Sequence, residues 1–165
     1  MVEETIFTAH SSMLKIWSLL SDLAGYRRWH PHYRVLNDAI PGKGFLLSWL
    51  IFEDWRVKIL LRLDPVEKPR TIGWSGGVRG LLALKERYEI SPIANGVEIR
   101  HSVECRGLVG ILLGSITRGG IRKNMAAQDA AFLTYLKKQG RMPQSGRGSV
   151  RKPAPSALPR GADND

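Results

Sequence analysis

The chain has 165 residues, 43% of them apolar, and 25 Lys and Arg against 15 Asp and Glu give a formal charge of +10. That length suits one domain with a real core and leaves little for a second. A single Cys excludes an intrachain disulfide framework and a cysteine zinc cluster, and the longest charge-free stretch, Gly107 to Thr117, is too short to span a bilayer.

Residues 3–9 read as a short strand. Ser11-Ser12 can cap a helix whose apolar positions Met13, Ile16, Trp17 and Leu20 recur at helical spacing. Ser21-Asp22 offers a fresh cap for a second short helix carrying Leu23 and Tyr26. It must end near Trp29, because Pro31 disfavours helical geometry at His30. From Tyr33 to Cys105 the period becomes two. Strands are expected at 34–39, Phe45–Phe52, Trp55–Leu63, 70–76, Leu82–Ile90 and Val97–Cys105, with Pro41-Gly42-Lys43-Gly44 as a turn. The last two strands are joined by Ser-Pro-Ile-Ala-Asn-Gly, whose Asn95-Gly96 is a hairpin signal. Helical spacing then returns in Leu108, Leu112 and Ile116, and again in Ile121, Met125, Gln128, Phe132 and Leu136. Gly119-Gly120 lies between these runs and is expected to bend or break the helix. Lys137-Lys138 suits its C-terminal turn and Gly140 the position just past it.

The order predicts an α+β fold in which a curved antiparallel sheet of about seven strands wraps a long C-terminal helix. Residues 1–139 form that domain. Residues 140–165, rich in Pro, Gly, Ser and Arg, have little to bury and are expected to be disordered. The charge does not point to nucleic acid. Residues 1–139 hold 20 basic and 13 acidic residues, the cations are scattered, and no nucleic-acid motif accompanies them. The start, Met-Val-Glu-Glu-Thr, has neither the basic nor the apolar region of a secretory signal. The expectation is a soluble cytoplasmic protein with no transmembrane segment.

Thr5-Ile6-Phe7-Thr8-Ala9, followed by the segment from Ile16-Trp17-Ser18-Leu19-Leu20-Ser21-Asp22 to Tyr26-Arg27-Arg28-Trp29-His30-Pro31, resembles the opening of the SRPBCC or START-like superfamily. Gly96-Val97-Glu98-Ile99-Arg100-His101-Ser102 is similar to that family's G-T-x-L-x-H hairpin strand, and the long closing helix is similar as well. The resemblance covers roughly residues 3–139. It implies the helix-grip fold, with a deep apolar cavity between sheet and helix that holds lipids, polyketides or other hydrophobic molecules. Some members of the family catalyse cyclisation or dehydration there, and others only bind. Two positions depart from the pattern. His30 replaces the Asn of W-N-P, and Glu86 and Tyr88 stand where many relatives have His-x-Phe.

The hairpin defines an inner wall without the family. With its loop centred between residues 93 and 94, Ile90 faces Val97, Tyr88 faces Ile99, Glu86 faces His101, Leu84 faces Val103 and Leu82 faces Cys105. That face is apolar except for Glu86, His101 and the Tyr88 hydroxyl. A carboxylate opposite an imidazole in apolar surroundings can be a general acid/base unit, an anchor for a polar ligand group, or a structural pair joining two strands. Glu86 and His101 are therefore the candidate catalytic residues. The candidate ligand-lining residues are Tyr88, Trp74, Ile99, Val103, Leu84, Val57, Ile59, Leu61 and Trp29.

Trp29-His30-Pro31-His32 has two imidazoles but no third ligand nearby in sequence. It reads as an exposed mouth loop, and no metal site is assigned. Cys105 reads as a buried inert thiol, glycine-rich 76–80 and 107–120 read as mobile rims, and no cofactor is expected. Three functions stay open. The first is binding or transport of a small hydrophobic or aromatic ligand. The second is a cyclase/dehydratase-type lyase or isomerase using Glu86 and His101. The third is a module that meets a partner or a membrane through its basic surface and tail. Oligomeric state is not encoded in any of these features.

Overall fold

The computed structural model describes residues 1–37, 44–52, 55–78, 80–107 and 114–141. Strand β1 (Val2–Ala9) leads into helix α1 (Met13–Ser21), where the Ser12 side chain accepts from the Lys15 amide as cap. The second short helix is a 3₁₀ segment, Leu23–Arg28, capped by Asp22, and it stops at Trp29 as Pro31 requires. Six strands follow: β2 (Tyr33–Val35), β3 (Gly44–Phe52), β4 (Trp55–Leu63), β5 (Thr71–Val78), β6 (Leu82–Ile93) and β7 (Gly96–Arg106). Helix α2 (Gly114–Arg141) closes the fold. The seven strands form one antiparallel sheet in the order β1-β7-β6-β5-β4-β3-β2. β1 caps one edge because it pairs with β7 over its whole length, from Val2 with Glu104 to Ala9 with Val97.

Alternation along these strands separates the two faces. On β6, Leu84, Glu86, Tyr88 and Ile90 are buried, while Lys85, Arg87 and Glu89 are exposed. The core is built from that inner face, from Ile16 and Leu20 of α1, and from Phe132 and Leu136 of α2.

Several expectations need correcting. The β6–β7 hairpin turns on Ala94-Asn95, with Ile93 opposite Gly96, so the loop centre lies one residue further on than expected. Tyr88 therefore faces His101, Glu86 faces Val103, Ile90 faces Ile99 and Leu84 faces Cys105. β6 runs through Pro92 because β5 ends its pairing at Glu89, so no ladder on that side needs the missing N–H. Gly96 adopts φ +135°, and a Cβ there would strike the Ala9 carbonyl where β1 ends, so glycine closes this corner. Moving every pair by two residues keeps each side chain on its face; only a shift by one would have inverted it.

The glycines of α2 do not break it. Gly119 and Gly120 lie inside one continuous helix, which also passes through Gly140 to Arg141, two residues beyond the expected end. Gly76 and Gly77 belong to β5, paired with Leu84 and Ala83. β2 is shorter than expected and begins at Tyr33. The expected turn at 41–43, the helical run through Leu108 and Leu112, and the tail from 142 lie outside the described residues.

Candidate functional site

Three inward side chains of the sheet and two of α2 meet in one buried polar layer. Glu86 and His101 have no exposed surface, and Tyr88, Gln128 and Asp129 are buried beside them. Because Glu86 and His101 are diagonal neighbours rather than opposite partners, His101 Nε2 reaches Glu86 Oε1 at 3.2 Å while its Nδ1 reaches Asp129 Oδ1 at 2.8 Å. The imidazole thus sits between two carboxylates, one from the sheet and one from the helix. Thr5 of β1 donates to Asp129 Oδ2 at 2.5 Å. On the other side, Tyr33 donates to Glu86 Oε2 at 2.7 Å and the Gln128 amide donates to Glu86 Oε1 at 2.7 Å. Gln128 also donates to the Tyr88 hydroxyl, which in turn donates to Glu86 Oε1 at 3.4 Å. The Tyr88 ring stacks on His101 with centroids 4.3 Å apart.

The electrostatics follow from these contacts. Burial alone would push Glu86 upward, but the hydrogen bond and charge of His101, with the Tyr33 hydroxyl, hold it below the usual carboxylate value. Burial pulls His101 downward, yet its hydrogen bonds to Asp129 and Glu86 and their charges outweigh this and lift it to about 9. At neutral pH the centre is an imidazolium between two carboxylates. Burial and the neighbouring Glu86 charge raise Tyr33 and Tyr88 well above the usual phenol value, so both remain hydroxyl donors.

The polar layer divides the apolar interior. On one side lies the main core, with Trp29 packed edge-on against Phe132 and Trp74 against Tyr26. On the other, Leu84, Val103 and Cys105 meet Ile121 and Met125 of α2. Trp49 of β3 touches both groups, and it stands against Tyr33 with centroids 6.2 Å apart. Trp49 and its β4 partner Val57 face inward but are only half-buried.

All of the candidate residues face inward. Trp74, Tyr88, Leu84, Ile99, Val103, Ile59 and Leu61 are buried, as is Trp29, and Val57 is half-buried. Trp29 and His30 do not form an exposed mouth loop. His30 is buried, sandwiched between Tyr26 at 5.3 Å and Tyr33 at 4.1 Å, because the 3₁₀ segment folds back under the sheet edge. Burial, reinforced by the charges of His32, His101 and Arg34 against the pull of Glu86, lowers it to about 3. Cys105 is buried, and burial pushes its thiol up to about 11.

Sequence reasoning missed Tyr33, Thr5, Gln128 and Asp129. Gln128 carried a signal, since it is a polar residue inside the apolar stripe of α2, where an unsatisfied amide would be costly. Among the described residues no group of three or more His, Cys, Asp or Glu is arranged to hold a metal ion. An open groove of about 550 Å³ lies along β5–β7, lined by Ser75, Gly77, Leu84, Lys85, Glu104 and Arg106 among others, and none of the five polar-layer side chains lines it.

This architecture, a curled seven-stranded sheet gripping one long helix, is the helix-grip fold of the START-like superfamily. The sequence model of the polyketide cyclase / dehydrase and lipid transport family matches residues 2–140, and the chain belongs to that family. Solved structures agree in fold at low identity. The Zhui aromatase/cyclase from Streptomyces sp. R1128 superposes with a TM-score of 0.67 at 14% identity, covering 86% of this chain and 96% of that one. A START superfamily protein from Mycobacterium smegmatis gives 0.67 at 14%, covering 84% and 98%. A protein from Thermus thermophilus gives 0.69 at 11%, also covering 84% and 98%. No curated protein matches significantly in sequence.

Proposed function

We propose that the protein binds, or binds and transports, a small hydrophobic or aromatic ligand of lipid or polyketide type in the space between sheet and α2. Glu86, His101 and Tyr88 are its fixed polar contacts, and the apolar wall is formed by Trp74, Ile99, Val103, Leu84, Val57, Ile59, Leu61 and Trp29. The observation that carries this reading is the polar layer, a set of oriented groups in an otherwise apolar interior. Family membership supports the ligand class. A cytoplasmic setting, in which the lone thiol of Cys105 stays reduced, belongs to the same reading.

The competing reading is a cyclase/dehydratase in which Glu86 and His101 act as base and acid. The chain Asp129–His101–Glu86 favours it, since it holds the imidazole in one orientation. Against it stands the ionisation of Glu86. A carboxylate held below its ordinary value by several donors is a poor base, because a general base works best with its pKa near the working pH. Binding is therefore the leading function.

Native mass spectrometry of the purified chain tests it. Binding predicts a co-purifying apolar molecule released unchanged, and Glu86→Gln alters its affinity without abolishing the fold. Turnover of such a molecule, lost in both Glu86→Gln and His101→Ala, would transfer the assignment to the enzyme.

A further inference from the structure

Among the described residues three enclosed side-chain nitrogens have no partner, His30 Nε2, His32 Nε2 and Trp74 Nε1, and two of them belong to fully buried rings of this interior. The His30 Nε2 and Trp74 Nε1 atoms are enclosed and unpartnered, in residues only 2% and 1% exposed. The tautomer of His30 follows from its other nitrogen. Nδ1 accepts from the amides of Tyr33 at 2.9 Å and His32 at 3.2 Å, so it carries no proton. With its pKa lowered to about 3 the ring is neutral, and its one proton must be on Nε2. Both unpartnered atoms are therefore N–H donors. An unmade hydrogen bond at such a site costs on the order of 1–3 kcal/mol, which makes two in one neighbourhood unusual.

They share that neighbourhood. Both rings pack on Tyr26, His30 stacked at 5.3 Å and Trp74 edge-on at 5.9 Å. Trp74 faces Glu86 across the β5–β6 ladder. His30 stacks on Tyr33, whose hydroxyl is bonded to Glu86, and the charges of Glu86 and His101 both act on it. The Glu86 oxygens are already occupied by Tyr33, Tyr88, His101 and Gln128, so they do not serve these donors.

We propose that His30 Nε2–H and Trp74 Nε1–H form the receiving site for a neutral oxygen acceptor of the ligand, a ketone, quinone or lactone carbonyl on a flat apolar skeleton. The proposal rests on the binding function above and names the chemistry of its ligand. A carbonyl oxygen offers a lone pair to either N–H donor and brings no proton of its own. A carboxylate or phosphate is disfavoured, because Glu86 and Asp129 beside a single imidazolium leave the centre negative. The rings of Tyr26 and Trp74 supply flat walls.

The test titrates the ¹⁵N-labelled full chain with 1-tetralone, with tetralin, which has the same skeleton without the oxygen, and with 1-naphthoate. The ketone is expected to bind at least about tenfold more tightly than tetralin, the worth of roughly one well-made buried hydrogen bond. It alone should move the Trp74 indole N–H downfield, and naphthoate should bind no better than tetralin. Trp74→Phe and His30→Phe keep an aromatic ring and remove the donor, so each should shrink the ketone-to-tetralin ratio severalfold. Equal affinity of ketone and tetralin overturns the carbonyl site while leaving the binding function standing. So does an indole shift shared by both probes, which would indicate a structural water only, or naphthoate binding more tightly than the ketone. An unchanged ratio in both variants, with folding verified, overturns it as well. If a variant fails to fold, the wild-type indole shift decides by itself. If no probe binds up to its solubility, the binding function falls and this proposal with it.

Discussion

His101 carries a proton at neutral pH because two carboxylates outweigh its complete burial. Removing that cation strands Glu86 and Asp129 in a low-dielectric interior, so His101→Leu should destabilise the fold by about 3–5 kcal/mol in urea titrations. A loss below about 1 kcal/mol would mean that Glu86 and His101 do not form a charged pair in the native state. Glu86→Gln keeps the shape and most of the hydrogen bonds, and should cost only about 1–3 kcal/mol. In that variant the His101 pKa, followed by NMR, should fall, because one of its two anions is gone. Glu86 and His101 were legible in the sequence as polar interruptions of an apolar face. Their diagonal contact was not, since it depends on where a two-residue turn closes. Tyr33, Thr5 and Asp129 come from elements remote in sequence, and nothing local marked them as partners.

Helix α2 shows how a local signal is overridden. Gly119-Gly120 predicted a break, yet the helix passes through both residues. The first half of α2 is held against the sheet by Ile121 and Met125 and by β1, whose Glu3 binds Arg118 at 3.1 Å and Arg122 at 2.9 Å. Tertiary packing thus supplies what propensity lacks. A Cβ at either glycine would meet nothing within 4 Å. Gly119→Ala and Gly120→Ala should therefore each stabilise the protein by about 0.5–1 kcal/mol, read as a rise in Tm, by restricting the unfolded chain. Glu3→Gln should cost no more than about 1 kcal/mol, because both arginine side chains are largely exposed. Faster amide exchange over residues 121–125 would be its more sensitive signature.

For the whole molecule the two buried imidazoles titrate in opposite directions. The folded-state pKa of His101 is raised to about 9 from 6.5, so its stabilisation is full below pH 6.5 and lost as pH rises from there through 9. That of His30 is lowered to about 3, so its contribution is present above pH 6.5 and lost as pH falls from there towards 3. Glu86, also held low, adds to the loss on the acid side. Tm measured between about pH 4 and about pH 10 should peak near the shared unfolded value of about 6.5. A Tm that climbs steadily to pH 9 would contradict the charged state of His101, and the His30→Phe variant should flatten the acid limb alone.

Periodicity and punctuation alone determined the element order, the inward face of the β6–β7 hairpin and the α+β fold, because alternation and helical spacing are written residue by residue. They also determined the membership of the polar face, since a register error of two residues leaves every side chain on its own side. Tertiary structure alone decided which polar groups meet. It set the diagonal Glu86–His101 contact, the addition of Tyr33, Gln128 and Asp129 from β2 and α2, and the burial of His30 with its unpartnered donor. Those outcomes depend on how a curved sheet closes on a helix, a geometry fixed by long-range packing and absent from any short window of sequence.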